Sequence, residues 1–226
     1  MKKSDADARQ HVCVAYNLLI NVRCDSETGH RAGTKYDWKV GCPQCGCGAT
    51  VVGPYRLTPS ALPKSAPLAR NDGGELLVHR SIRDTLIARF GASTKDFVPV
   101  SPRQDDTHLP WFMLWPQMVL PPAAVKESKI EFEPRHKCDL CGRPGHYNGT
   151  VIEYMYHSDA WPKNALPALM RSWEHYGGWT RNPPGAFRLY GVATPLIVMR
   201  SDAMSWIAAV ATRYCKSNPV TLIWKR

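Results

Sequence analysis

The 226-residue chain has no apolar stretch approaching the length of a membrane-spanning helix, which needs about 20 such residues. It has no H-E-x-x-H, no G-x-S-x-G and no glycine-rich phosphate loop, so the common metalloprotease, serine-hydrolase and nucleotide-binding signatures are missing. No H-x-E occurs either, and a zinc deaminase needs one beside its P-C-x-x-C. His79, His108, His157 and His175 share no spacing with a candidate nucleophile, so no catalytic residue is assigned and a non-enzymatic role is expected. Acidic residues are scarce, 19 against 29 Lys and Arg, and the net charge of +10 favours acidic partners, protein or nucleic acid. The basic residues form no dense run. The apolar residues 12–22 are broken by Asn17 and followed by no small-residue cleavage site, so they read as a first strand rather than a secretion signal.

What the chain does have is cysteine in a telling arrangement. Cys42-Pro43-Gln44-Cys45-Gly46 and Cys138-Asp139-Leu140-Cys141-Gly142 are two C-x-x-C-G motifs. Two intervening residues let both sulfurs of a pair face one ion, and the following glycine lets the chain turn away at positive φ. Four thiols in two such pairs suit one tetrahedral structural Zn2+, with Cys42, Cys45, Cys138 and Cys141 as ligands. Metal-binding thiols point to a reducing, cytoplasmic compartment rather than a disulfide framework. Cys47, His136 and His146 lie close enough in sequence to be alternate ligands, and a thioredoxin-like role for the Cys42–Cys45 pair is a competing reading. Cys13, Cys24 and Cys215 are isolated and read as small core residues.

Along the chain, residues 11–23 predict a strand, and Tyr36, Trp38 and Val40 alternate into the first knuckle as the arm of a hairpin. Residues 51–70, with Pro54, Pro59, Pro63 and Pro67, predict an extended segment over the surface. A strand at residues 75–78 leads into Ser81-Ile82-Arg83-Asp84, which has the form of a capping box before an amphipathic helix, with Gly91 as its stop and a strand at residues 96–100 beyond. The order returns near the end. Leu196-Ile-Val-Met-Arg-Ser201 echoes Leu76-Leu-Val-His-Arg-Ser81, with Ser201 as cap, a helix apolar nearly all round to Tyr214, and a strand at residues 220–224. Between these units, residues 130–132 and 149–156 predict strands beside the second knuckle. Leu166, Leu169, Met170 and Trp173 fall at helical spacing, and residues 178–185 read as a loop.

Trp111, Trp115, Trp161, Trp173 and Trp179 are numerous enough to stack bases between Arg171, Arg181 and Arg188, but packing is the preferred reading. The fold class that emerges is α+β, with mixed sheets, strand–helix–strand units and a zinc-ribbon-like knuckle pair. One domain is expected over residues 1–226. Residues 1–50 and 126–160 form its zinc-clipped β portion, and residues 71–101 and 190–226 its strand–helix–strand units.

The paired C-x-x-C-G motifs, the Tyr36-Asp37-Trp38 lead-in, the YRLTPSALP stretch at residues 55–63 and the terminal unit beginning Leu196-Ile197-Val198 resemble the double-CXXCG motif family of bacterial proteins. The resemblance runs over nearly the whole chain. Members are regarded as immunity proteins encoded beside contact-delivered toxins, so it implies a cognate toxin as partner, and it carries over Cys42, Cys45, Cys138 and Cys141. The basic charge departs from the acidic character common in immunity proteins that cover nuclease sites. A nucleic-acid-binding zinc ribbon is the alternative function.

Overall fold

The computed structural model describes residues 11–24, 29–71, 73–132, 137–143, 147–148, 153–176 and 194–224. Its strands are β1 (His11–Ile20), β2 (Arg23–Cys24), β3 (Lys35–Asp37), β4 (Thr50–Val52), β5 (Tyr55–Leu57), β6 (Leu68–Asn71), β7 (Leu76–His79) and β8 (Phe97–Pro102). They continue with β9 (Trp111–Leu114), β10 (Glu131–Phe132), β11 (Tyr147–Asn148), β12 (Tyr154–His157), β13 (Leu169–Tyr176), β14 (Thr194–Arg200) and β15 (Cys215–Ile223). Among the described residues, two α-helices, α1 (Arg80–Phe90) and α2 (Ser201–Val210), follow β7 and β14. The fold is mixed α+β, as the sequence predicts.

Two large sheets carry the architecture, in the orders β2-β6-β7-β9-β8-β5 and β12-β15-β1-β14-β13. Read from one edge, β5-β8-β9-β7-β6 and β12-β15-β1-β14-β13 have the same sequence of parallel and antiparallel neighbours. The registers agree as well. Tyr55 pairs with Val100 where Tyr154 pairs with Val220, and Leu68 with Val78 where Leu169 pairs with Met199. Val78 pairs with Phe112 where Met199 pairs with Tyr16. Even the parallel pairing of Arg23 with Arg70 has its counterpart in an isolated bridge between Val119 and Arg171.

The chain is therefore a tandem duplication, residues 11–102 followed by residues 111–223, in which the halves exchange first strands. β1 opens the first half but sits at the centre of the second half's sheet, and β9 does the reverse. Ladder registers make Val78 the counterpart of Met199 and start α1 and α2 at Arg80 and Ser201, one residue away from the alignment that the LLVHRS and LIVMRS echo suggests.

One central core joins the inner faces of both sheets to both helices, through residues such as Leu18, Val78, Leu86, Leu169, Met199 and Ile207. Each sheet has a second apolar cluster on its other face, around Tyr55 and Leu77 in one and Tyr156 and Val198 in the other. In α1, Ile82 and Leu86 lie one turn apart and are buried, and Gly91 ends the helix at φ +71° with its N–H on Leu86 and Ile87 carbonyls.

Several expectations are corrected. Residues 169–176 are a strand rather than a helix. β13 is covered on both faces, with Leu169 in the central core and Met170 in the outer one, so its apolar residues lose the alternation that marks a strand. Residues 51–70 do not simply run over the surface: Tyr55 and Leu57 of β5 are fully buried, alternating with Arg56, and the prolines flank the strand. The cap of α1 is His79, whose ring nitrogen accepts from the Ser81 N–H, while Asp84 pairs with Arg83. A true capping box forms at Ser93 and Asp96 instead. Ser201 is the first helical residue of α2 and caps nothing by its side chain; only one face of that helix is buried, with Ala203, Met204 and Ile207 inside and Ala208 to Val210 exposed. Cys13 is exposed, whereas Cys24 and Cys215 are core residues. Residues 149–152 and 178–185, read as strand and loop, lie outside the described residues, as do His136, His146 and Trp179.

Candidate metal centre

Each C-x-x-C-G motif is held between the arms of a small antiparallel hairpin. β3 and β4 carry the first, with Tyr36 opposite Val51, and β10 and β11 carry the second, with Phe132 opposite Tyr147. Within each knuckle the backbone bonds repeat. Gly46 N–H donates to the Cys42 carbonyl and Gly142 N–H to that of Cys138; Cys42 N–H donates to the Cys47 carbonyl and Cys138 N–H to that of Arg143. Gly46 and Gly142 turn at φ +74° and +70°, the region where glycine is favoured because it has no Cβ. Cys47 and Arg143 are thus equivalent positions.

The two knuckles meet face to face. Cys42 Sγ lies 3.7 Å from Cys138 Sγ and Cys45 Sγ lies 3.6 Å from Cys141 Sγ, each pair being 96 residues apart in sequence. All four sulfurs fall within 4.8 Å of one another. Sulfurs about 2.3 Å from a shared tetrahedral ion stand about 3.8 Å apart, so the four thiols lie close enough together to hold one metal ion.

Backbone donors face all four sulfurs. Backbone N–H groups of Gln44 and Cys45 are aimed at the Cys42 sulfur, those of Leu140 and Cys141 at Cys138, that of Cys47 at Cys45 and that of Arg143 at Cys141. Burial is the largest influence on Cys42 and pushes its thiol up, but these donors and the thiols of Cys45 and Cys138 bring it down to about 7. The other three are raised, Cys45 first by its hydrogen bond with the Cys47 thiol and then by burial, Cys138 by burial, and Cys141 by burial to about 12. Three held thiols beside one readily ionised sulfur form a site whose full charge develops when a cation arrives and displaces the protons.

The sequence-predicted set Cys42, Cys45, Cys138 and Cys141 is brought together as a unit. Cys47 is buried in the same sulfur cluster but outside the four-atom group. Three of the candidate tryptophans serve packing: Trp111, Trp115 and Trp161 are buried, and Arg171 lies over Trp115 at 4.7 Å. Arg143 reaches from the second knuckle to β13, donating through Nε to the Trp173 carbonyl at 3.0 Å with its guanidinium 5.2 Å from that indole. Sequence reasoning missed this brace, for nothing local marks residue 143 as more than a loop arginine.

A second polar group escaped notice. Asn71 Nδ2 donates to the Tyr55 hydroxyl, the Glu75 N–H donates to Asn71 Oδ1, and Glu75 Oε2 is buried without a partner. Tyr36, Glu75, Met113, Trp115 and Thr194 line a cavity of about 10 Å³ there, room for one water. No helix among the described residues is long and apolar enough to cross a membrane. No family model matches the chain, and the search of curated proteins returns no match.

Proposed function

We propose that Cys42, Cys45, Cys138 and Cys141 hold one structural zinc ion, and that the chain is a non-catalytic, cytoplasmic immunity protein that binds and neutralises a cognate toxin. The observation that carries the metal reading is the approach of two C-x-x-C-G knuckles, one from each half, to tetrahedral sulfur spacing. A bound zinc would supply a cross-link and no reactive site, because four protein sulfurs leave no open coordination position. Each knuckle on its own hairpin makes a zinc-ribbon-like pair shared between the halves. The protein-binding role rests on the resemblance to the double-CXXCG family and on the chemistry of the clip. Fixing the halves before a partner arrives lowers the entropy lost on binding, and a net charge of +10 steers an acidic face toward the protein.

The test has two arms. Elemental analysis of the purified chain is expected to find one zinc per molecule. A pull-down with the product of the adjacent gene is expected to retain both proteins, and coexpression to restore growth. If the two fail to associate at micromolar concentration while the chain retards RNA or DNA with a steep salt dependence, nucleic-acid binding replaces this reading.

A further inference from the structure

The two knuckles differ at one position that bears chemistry. Cys47 stands where the second knuckle has Arg143. Both residues serve their knuckle through the backbone, the N–H aimed at the second cysteine's sulfur and the carbonyl accepting from the first cysteine's N–H. Arg143 shows that these tasks need no thiol. Yet Cys47 is only 1% exposed and lies in one buried cluster with the four paired cysteines, two residues from Cys45. A tetrahedral centre takes four sulfurs, so a fifth is surplus to it.

We infer that Cys47 is a resolving thiol, and that Cys45 and Cys47 form a disulfide when a hydroperoxide oxidises the centre. The inference rests on the metal reading above. Hydrogen peroxide transfers one oxygen to the Cys45 thiolate, giving sulfenic acid and hydroxide. The Cys47 thiol then attacks that sulfur; the S–O bond breaks, an S–S bond forms, and the oxygen leaves as water with the thiol proton. Peroxide gains two electrons and the two sulfurs together lose two. Cys47 is placed for the second step because a bound ion would occupy Cys42, Cys138 and Cys141, whereas Cys47 lies outside that set, in the same sulfur cluster and two residues from Cys45. Loss of the Cys45 thiolate would leave a bound ion only Cys42, Cys138 and Cys141, and the clip between the halves would open reversibly.

The zinc-loaded full chain is treated with hydrogen peroxide while a chromogenic chelator follows metal release, and disulfides are mapped by mass spectrometry after alkylation. A peptide joining Cys45 to Cys47 is expected, with zinc binding restored by dithiothreitol and added zinc. In Cys47→Ala, zinc is expected to bind normally but to leave several-fold more slowly, with Cys45 passing to sulfinic acid that dithiothreitol does not reverse. Cys13→Ala, altered at the exposed cysteine, should behave as wild type. Mapping of Cys45 to Cys42, Cys138 or Cys141, or wild-type rate and recovery in Cys47→Ala, overturns the inference. Zinc content before oxidation reports on the metal reading alone, and in the zinc-loaded chain the mapped pair decides the inference, including when the alanine variant fails to fold.

Discussion

Arg200, the residue before α2, donates from Nη2 to the carbonyl of Phe90, the last residue of α1, at 3.2 Å. The same guanidinium donates from Nη1 to the Leu166 carbonyl at 2.9 Å and holds Asp202 through Nε at 2.7 Å. One side chain thus satisfies a helix-end carbonyl in the first half and a loop carbonyl in the second. Arg200→Met, which keeps the apolar stem, is expected to lower unfolding free energy by about 1–3 kcal/mol, the scale for charged hydrogen bonds lost at partly buried carbonyls. Urea denaturation measures it. A loss under about 0.5 kcal/mol would mean that water replaces both bonds.

Metal removal acts on a longer lever. Joining knuckles 96 residues apart constrains the unfolded chain by about 4–5 kcal/mol on the cross-link model, before any contribution from the metal–sulfur bonds. Chelation, or Cys138→Ser, is expected to remove the metal and broaden or lower the thermal transition. A wild-type chain that is free of metal as purified and no more stable with added zinc would refute the clip.

Glu75 sets a pH dependence of definite sign. Burial, the largest influence, raises its carboxyl above the usual range, against bonds from Asn71, its own backbone and Tyr55 that lower it. An acid raised in the folded state contributes stability that is complete below its unfolded pKa and is lost as pH rises through the folded value. Glu75→Gln keeps the shape and removes the titration. The variant is expected to gain on wild type as pH rises above about 4.5, the ordinary carboxyl value, read from urea midpoints at each pH. A gain in the opposite direction would place the carboxylate in its charged form.

The metal set was legible because its chemistry is local: two residues between thiols, a glycine after each pair, and nothing else required. The strands and helices of the two strand–helix–strand units were legible for the same reason, since Gly91 and the runs at residues 76–79 and 196–199 act within a few positions. The strand exchange was not. That β1 leaves its own half to pair with β14 and β15 is decided by surfaces a hundred or more residues apart, and no periodicity within ten residues of β1 reports it. β13 was misread for a related reason, because burial on both faces erases the pattern that distinguishes strand from helix. In the sequence Glu75 only opens a strand, and it is the fold that brings Tyr55 and Asn71 beside it.

Equivalent positions of the duplication give an internal comparison. Leu86 on α1 and Ile207 on α2 are both fully buried in the central core. Each change to alanine is expected to cost about 2–5 kcal/mol, the range for large-to-small substitutions in packed interiors. Because both halves share that core, the two costs should depart from additivity by more than about 0.5 kcal/mol in the double variant. Strict additivity in urea titrations would separate the halves into independent cores, contrary to the packing.

The proposed partner interaction makes a prediction that separates binding from folding. A toxin face attracted by a net charge of +10 associates faster at low ionic strength, because salt screens charges more than about 10 Å apart at 0.1 M. The dissociation rate depends instead on short-range contacts and changes little. Stopped-flow association with the adjacent gene's product is therefore expected to slow several-fold between low and moderate salt. Reversing an exposed charge such as Lys39 or Lys137, each three residues before the first cysteine of a knuckle or adjacent to it, tests whether the face around the centre does the steering. Slower association with an unchanged thermal transition would place the partner there. Association that is indifferent to both salt and charge reversal would remove electrostatic steering from the proposal, and with it the functional meaning of the chain's basic surface.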